Sequence, residues 1–386
     1  MPTESPDSEA LADAAASLIG AYVHIPFCRR VCPYCDFAVV EGTDAADRYV
    51  DAVCGEIERA EPFARPVDAV AFGGGTPTSL PPPVLGRILD ALGERFGIAP
   101  GAEVSIEANP EDLDPATARG IAALGFNRIS LGVQSFDDRS LQSLGRAHSA
   151  ELAGTAVAIA VDSFESVNVD LIFGTPGETP GSWESSVARA LDAGIGHLST
   201  YALTVERGTP LSRAVATGAP APDPDLQADL YEAGAALAAT AGLVRYETSN
   251  YAMPGEAVAY NLLTWAQGEY EAFGNGAHRH RRGIRSWNVR RVDRYVERLE
   301  RGESPQSGLE RLGPWERDVE SVMLGLRRSA GVVLGVVGRR LLNSAAGREL
   351  VAAGVLGHDG DRLRVLRPLL GDEVARALLA LDPSDC

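Results

Sequence analysis

Between residues 22 and 203 the chain repeats one pattern: a short apolar run, a loop, a helical stretch, and the next apolar run. The apolar runs fall at residues 22–25, 69–72, 104–106, 128–133, 166–172 and 197–203, and helical stretches at 46–60, 84–96, 115–124, 151–161 and 183–193 separate them. Such alternation implies a parallel sheet with helical crossovers, because parallel strands cannot be joined by a tight hairpin. Asp114-Pro115 reads as a helix start, an N-cap followed by proline in the first turn, and Gly125 and Gly194 close their helices. Six units fall short of the eight that close a full barrel, and periodicity does not separate an open sheet from a partial barrel. All strands share one direction, so side chains at their C-terminal ends converge on the face where such folds bind ligands.

The loop after the first run carries the chemistry. Cys28, Cys32 and Cys35 stand in a C-x3-C-x2-C arrangement, three of the chain's five cysteines. Thiolates are the ligands that iron–sulfur clusters and zinc prefer. A three-thiol loop leaves one corner of a cubane cluster open to something other than protein, as catalytic zinc sites leave a position open. The rival readings are a structural zinc loop and unrelated core thiols. Zinc requires a fourth Cys or His at usable spacing, and none follows closely, while His24 precedes the loop on a strand. Cys54 shares a helical stripe with Val50, Val53 and Ile57 and reads as core, and Cys386 is given no role.

Further polar outliers end the other strands. Gly73-Gly74-Gly75-Thr76-Pro77 follows the second, and residues without side chains let the backbone approach a ligand. This run is neither the dinucleotide fingerprint nor a phosphate loop. Glu107 and Asn109 end the third strand, and a carboxylate there needs a partner, an internal arginine or a bound amine or hydroxyl. Gln134 ends the fourth strand, Asp170 lies in the fifth and Tyr201 in the sixth.

C-x3-C-x2-C is the signature of the radical S-adenosylmethionine (SAM) enzymes. The string from Tyr22 to Cys28, Tyr-Val-His-Ile-Pro-Phe-Cys, resembles the oxygen-independent coproporphyrinogen III oxidase family within them. Cys32-Pro-Tyr-Cys35-Asp-Phe37 is similar to its heme chaperone branch, because the oxidases carry a further Cys where this chain has Phe37. The resemblance spans nearly the whole chain after about residue 21 and implies a partial (β/α)6 barrel, a [4Fe–4S] cluster on Cys28, Cys32 and Cys35, and SAM on the open iron. It implies that Gly74, Gly75 and Thr76 hold the methionine part of SAM. It further implies that Tyr22, Tyr34, Glu107, Gln134, Arg146 and Asp170 belong to the same site. The expected partners are heme or another porphyrin, an apo-protein that receives the heme, and an electron donor.

One family motif is altered. Heme chaperones carry His-Asn-x-x-Tyr-Trp where this chain has Tyr260-Asn261-Leu-Leu-Thr264-Trp265, and an imidazole is a common axial ligand of heme iron. Phe273-Gly274-Asn-Gly276-Ala-His278 resembles the next family loop, so Tyr260 and His278 become the candidate heme ligands. Arg279, Arg281, Arg282, Arg285, Arg290 and Arg291 cluster nearby and read either as a solvated surface or as partners for porphyrin carboxylates.

The expected organisation is an acidic, flexible tail over residues 1–19, a core over 20–250, a connecting segment over 251–300, and an α+β accessory domain over 301–386, which the resemblance implies is winged-helix-like. The tail lacks the basic start of a signal peptide, and no run is long and apolar enough to span a bilayer. A net charge of −18 disfavours nucleic acid, whose binding depends on phosphate neutralisation. Three thiols that must stay reduced point to the cytoplasm. The reading is a heme chaperone on a radical SAM core, with coproporphyrinogen oxidase or a radical SAM enzyme of another substrate as the alternatives.

Overall fold

The computed structural model describes residues 13–382. Residues 1–12 of the expected tail, and Cys386, lie outside them. Residues 15–17 form one 3-10 turn with Ala15 buried, and Asp13 pairs with Arg362 at 3.0 Å.

The core is a parallel array. Strand β1 (Ile19–Ile25) is followed by a small parallel pair, β2 (Phe27–Cys28) and β3 (Val40–Glu41), and then by β4 (Val67–Gly74), β5 (Ile98–Ala108), β6 (Arg128–Gln134), β7 (Ser166–Phe173) and β8 (His197–Ala202). β1 and β4 to β8 pair parallel in that order. The connecting helices Ala46–Arg59, Pro82–Phe96, Pro115–Ala123, Ala150–Ser163 and Pro180–Asp192 lie where the amphipathic stretches predict them. Asp114 caps its helix by accepting from the amides of Ala116 and Thr117.

The later chain extends both edges. β9 (Val244–Arg245) and β10 (Asn250–Ala252) add antiparallel strands beside β8. β11 (Glu269–Phe273) pairs parallel with β1, and β12 (His278–Arg281), β13 (Ile284–Asn288) and β14 (Gln306–Arg311) continue antiparallel from it. The result is one twelve-stranded sheet that does not close into a barrel. The segment over residues 251–300 thus contributes strands to the same sheet as the core.

Residues 314–379 form a smaller α+β unit. Helices Pro314–Gly325, Val336–Asn343, Ala345–Ala352 and Gly371–Leu379 pack around a three-stranded sheet in the order β15 (Val332–Val333), β17 (Arg362–Val365), β16 (Leu356–Asp359). It has its own apolar cluster, including Val337, Leu341, Leu356 and Leu363. It docks beside helix Ala259–Trp265 through Gln267, whose amide donates to Glu320 at 2.6 Å.

One buried carboxylate ties the first crossover helix to the β11–β12 loop. Glu56 accepts from the Gly274 amide (3.0 Å), the Tyr295 hydroxyl (2.6 Å) and the Asn288 amide (2.8 Å), with Arg279 at 3.6 Å. Removing one member of such a network leaves the others desolvated and unpaired. Glu56→Ala is therefore expected to lower stability by about 3 kcal/mol. Glu56→Gln, which keeps one acceptor, is expected to lower it less, as read from the midpoints of urea unfolding.

Candidate functional site

The cysteine loop leaves the sheet at the C-terminal end of β1. Cys35 closes a turn onto the Cys32 carbonyl (3.1 Å), and the three thiols are half-buried and unpaired by disulfides. Two side chains from other segments address the sulfurs, Thr76 after β4 and Arg146 in the loop after the short helix Asp138–Ser143. Thr76 lies 3.8 Å from Cys28 Sγ, and the Arg146 guanidinium lies 3.5 Å from Cys32 Sγ. Arg146 also donates to the Gly132 carbonyl (2.8 Å) and to Asn109, whose amide in turn donates to Thr76 at 2.7 Å. Tyr34 sits on the same corner, its hydroxyl held far above the ordinary phenol range by burial. Burial likewise pushes the Cys28 thiol up to about 11 and raises Cys35.

The glycine run needs its glycines. Gly74 has φ +109°, and a Cβ there would lie 2.3 Å from His24 Nδ1. A Cβ on Gly75 would lie 2.7 Å from the Pro26 backbone, because the Gly75 and Thr76 amides bond to the Ile25 and Phe27 carbonyls at 2.8 Å. His24 is neutral: burial pulls it down to about 4. Its Nε2 faces the Ala38 carbonyl (3.0 Å) and therefore carries the proton, which leaves Nδ1 to accept from the Tyr22 hydroxyl (3.3 Å).

Among the described residues, Glu107 finds no arginine. Its Oε2 accepts only the Gly74 amide, at 3.1 Å. Desolvation, followed by the neighbouring Asp170 carboxylate, raises it to about 7. Asp170 is raised too, chiefly by burial, although Ser130 donates to it at 2.9 Å and Asn168 at 2.8 Å. Gln134 sits at φ +65°, unusual for a residue with a side chain, and its Oε1 is buried with no partner among the described residues. Strain and an orphaned acceptor at one residue are features that ligand sites retain.

The sheet has two faces of opposite character. Ile106, Ile129, Leu131, Val167, Val169 and Leu198 enter the core, while the alternate positions Glu103, Ser105, Glu107, Arg128, Ser130, Asn168, Asp170, His197, Ser199 and Tyr201 are polar. Sequence reading singled out only the ends of this row. Ser130, Asn168, His197 and Ser199 were missed, although each stands two or four positions before a residue already suspected, the spacing at which strand residues share a face.

A cavity of about 480 Å³ adjoins this face. Tyr22, His24, Gly74 and Glu107 line it from the sheet, Phe37 and Ala38 from the cysteine loop, and Tyr260, Tyr270 and His278 from the later chain. Tyr260 stacks on Tyr22 (6.0 Å between ring centres, 28° between planes), and His278 stacks on Trp287 (5.6 Å, 20°). Both candidate heme ligands therefore reach the cavity that Gly74 and Glu107 line.

The arginine cluster divides by strand alternation. Arg279 and Arg281 point away from His278 and pair with Glu56 and Glu271, and Arg281 also covers the Phe63 ring. Arg282 pairs with Glu61, Arg285 with Glu310 and Glu320, and Arg291 with Asp293. Of the six, Arg290 lines the cavity, beside Asp36 at 3.4 Å. Of the two readings of this cluster, the internal pairs of Arg279, Arg281 and Arg282 favour a surface of ion pairs over a set of partners for propionates.

Comparison with known proteins gives the lineage. Residues 22–190 match the radical SAM superfamily. The chain is 40% identical over 383 residues to the heme chaperone HemW of Mycobacterium tuberculosis, covering 96% of this chain and 97% of that one. The chain belongs to the HemW family. A HemW of Synechocystis is 40% identical over 324 residues, 81% of this chain and 78% of that protein. The fold matches coproporphyrinogen III oxidase (HemN) of Escherichia coli with a TM-score of 0.81 over 97% of this chain and 93% of that one, at 22% identity. At that identity the HemN likeness concerns the fold alone.

The site residues fit the groups that radical SAM membership implies. Among the described residues no three Cys, His, Asp or Glu side chains converge closely enough to hold a single metal ion. Three free, half-buried thiols in one loop suit three corners of a cubane. The glycine run and the unpaired Gln134 suit a bound small molecule with its own donors. Alanine in place of Cys28, Cys32 or Cys35 is expected to abolish iron–sulfur absorbance after anaerobic reconstitution, whereas Cys54→Ala retains it. Gly74→Ala is expected to keep the iron but weaken SAM binding at least about tenfold, the cost of one strained or displaced contact, as measured by equilibrium dialysis.

Proposed function

We propose that this HemW-family protein is a heme chaperone: it binds heme beside a [4Fe–4S] cluster and SAM and passes the heme to an apo-protein. The observation that carries the reading is the single cavity lined by both Gly74 and Glu107 and by Tyr260 and His278. Its size lies in the range of cofactor pockets. In this reading Cys28, Cys32 and Cys35 hold the cluster, and Gly74, Gly75, Thr76, Glu107, Gln134 and Asp170 hold SAM. Arg146, Tyr34 and Tyr22 flank both groups. The bound cluster and SAM supply one-electron chemistry, which a carrier role does not require. An electron donor and a reducing, cytoplasmic setting accompany the cluster, and no helix among the described residues is long and apolar enough to cross a membrane.

Electrostatics favours His278 over Tyr260 as the iron ligand. Burial, then Tyr270 and Tyr22, holds the Tyr260 hydroxyl well above its ordinary range, so the phenolate that would bind ferric iron is costly. Burial, then Arg290 and Arg285, lowers His278, so its imidazole is neutral and ready to ligate at pH 7. Tyr260 then serves as a stacking wall, and Arg290 is the cation within reach of a propionate. Titration with ferric heme is expected to give a Soret shift that His278→Ala abolishes and Tyr260→Phe largely keeps. Stoichiometric binding with an unchanged spectrum in His278→Ala would sink the assignment. Because Phe37 stands where the oxidases carry Cys, and is 68% exposed at the cavity wall, incubation with coproporphyrinogen III, SAM and a strong reductant is expected to yield no protoporphyrinogen IX.

The Glu107 carboxyl makes SAM binding pH-dependent. SAM is a cation, so it binds best to the ionised carboxylate, which predominates above about 7 and is lost as the pH falls below it. The ratio of wild-type to Glu107→Gln affinity is therefore expected to rise about five- to tenfold from pH 6 to pH 8 and then level off. A ratio independent of pH would remove Glu107 from the SAM contacts.

A further inference from the structure

Beneath the cavity a chain of hydrogen bonds runs from Asp170 on β7 to Asn261 on helix Ala259–Trp265. The donor and acceptor roles can be assigned link by link. The Asn168 amide nitrogen faces the Asp170 carboxylate at 2.8 Å, which only accepts, so Asn168 Oδ1 points the other way. That oxygen lies 2.6 Å from His197 Nδ1 and accepts from Ser199 at 3.1 Å, so His197 carries its proton on Nδ1. His197 Nε2 is then an acceptor, filled by the Tyr246 hydroxyl at 2.9 Å. Tyr246 Oη accepts from the Asn261 amide (3.3 Å) and from the Val258 backbone amide (3.4 Å).

His197 is fully enclosed, and among the described residues no carboxylate bonds to it. Burial, with Arg128 nearby, holds it near 3, so it stays neutral and the order of donors does not reverse at physiological pH. The far end is pinned from a second side: Glu103, paired with Arg128 at 2.9 Å, accepts from the Ala259 and Tyr260 amides at 3.1 and 3.3 Å. The turn that carries Tyr260 into the cavity is thus held by the same inner-face polar row that holds Asp170.

We propose that Asn168, His197 and Tyr246 act as positioning residues that couple the SAM site to the Tyr260 helix. A ligand that orders the Asp170 carboxylate orders the first turn of that helix, and an occupant of the Tyr260 side tightens SAM by the same factor. The coupling rests on Asp170 belonging to the SAM site, as proposed above. Neutral chains of this kind strengthen together when one end is engaged.

Hydrogen exchange on the full, cluster-reconstituted chain tests the coupling without heme or turnover. In wild type, saturating SAM is expected to slow exchange of the amides of residues 258–265 at least about fivefold. Tyr246→Phe removes the hydroxyl and keeps the ring. It is expected to bind SAM about threefold more weakly and to show no SAM-dependent slowing in that segment. Asn261→Ala, at the half-buried end of the chain, is expected to lose the slowing too, and serves should Tyr246→Phe fold poorly. A role confined to stability would raise exchange with and without SAM alike and leave the SAM-dependent difference intact. Equal slowing in wild type and either folded variant overturns the coupling, as does its absence in SAM-saturated wild type. Failure of wild type to bind SAM at all would overturn the site reading as well, and dialysis against SAM separates that outcome from the others.

Discussion

Strand alternation is the constraint on which the rest of this structure depends. A parallel strand has two faces, and here helices cover only one of them with apolar packing. The outer face is a continuous core running through Ile106, Ile129, Leu131, Val169 and Leu198. The inner face is free to be polar, but only where every buried group finds a partner. Arg128 meets Glu103 and Glu256, Asn168 meets Asp170 and His197, and Arg146 meets Asn109 and the Gly132 carbonyl. Among the buried atoms left without a hydrogen-bond partner are Gln134 Oε1, at the end of β6, and Arg146 Nε, beside the cysteine loop.

Backbone fit at the mouth of the sheet turns this polar face into a cavity. The Gly74 and Gly75 turn packs directly on the β1 exit, and the Gly274–Gly276 turn on the other side meets Tyr49, whose hydroxyl bonds the His24 carbonyl at 2.7 Å and Asn275 at 2.9 Å. Asn275 donates to the Ala38 carbonyl at 2.9 Å, tying the cysteine loop to the β11–β12 connection. Glu56 secures the same turn from the helix side. The loop that carries the thiols is thus set by hydrogen bonds whose partners lie up to 254 positions away in the chain.

Charge is distributed to match. The chain carries a net −18, and each arginine of residues 279–291 lies beside a carboxylate, Arg279 and Arg281 sharing Glu271. What faces the cavity is largely neutral and aromatic: Tyr22, Tyr260, Tyr270, and the unprotonated His24 and His278. A flat, largely apolar macrocycle with carboxylates at one edge suits such walls better than a polyanion does.

Local physics was enough to place the helices and strands over residues 20–203, the Asp114 cap and the three-thiol loop, because period, cap residues and cysteine spacing are short-range signals. The same pattern singled out Glu107 and Gln134 at strand ends and Asp170 within its strand. The sequence said less about what lies further down each strand: Asn168, His197 and Ser199 read as ordinary strand residues until β6, β7 and β8 stand side by side. The altered motif at Tyr260 and the loop at His278 looked like two separate features. Only the parallel pairing of β11 with β1, between residues about 250 positions apart, brings them to Gly74 and Glu107. The arginine run shows the converse: its composition left open a solvated surface or a site for porphyrin carboxylates, and the tertiary structure sets carboxylates of the chain beside it. Which face of a strand a residue occupies follows from counting by twos, but what stands opposite it is decided by long-range pairing alone.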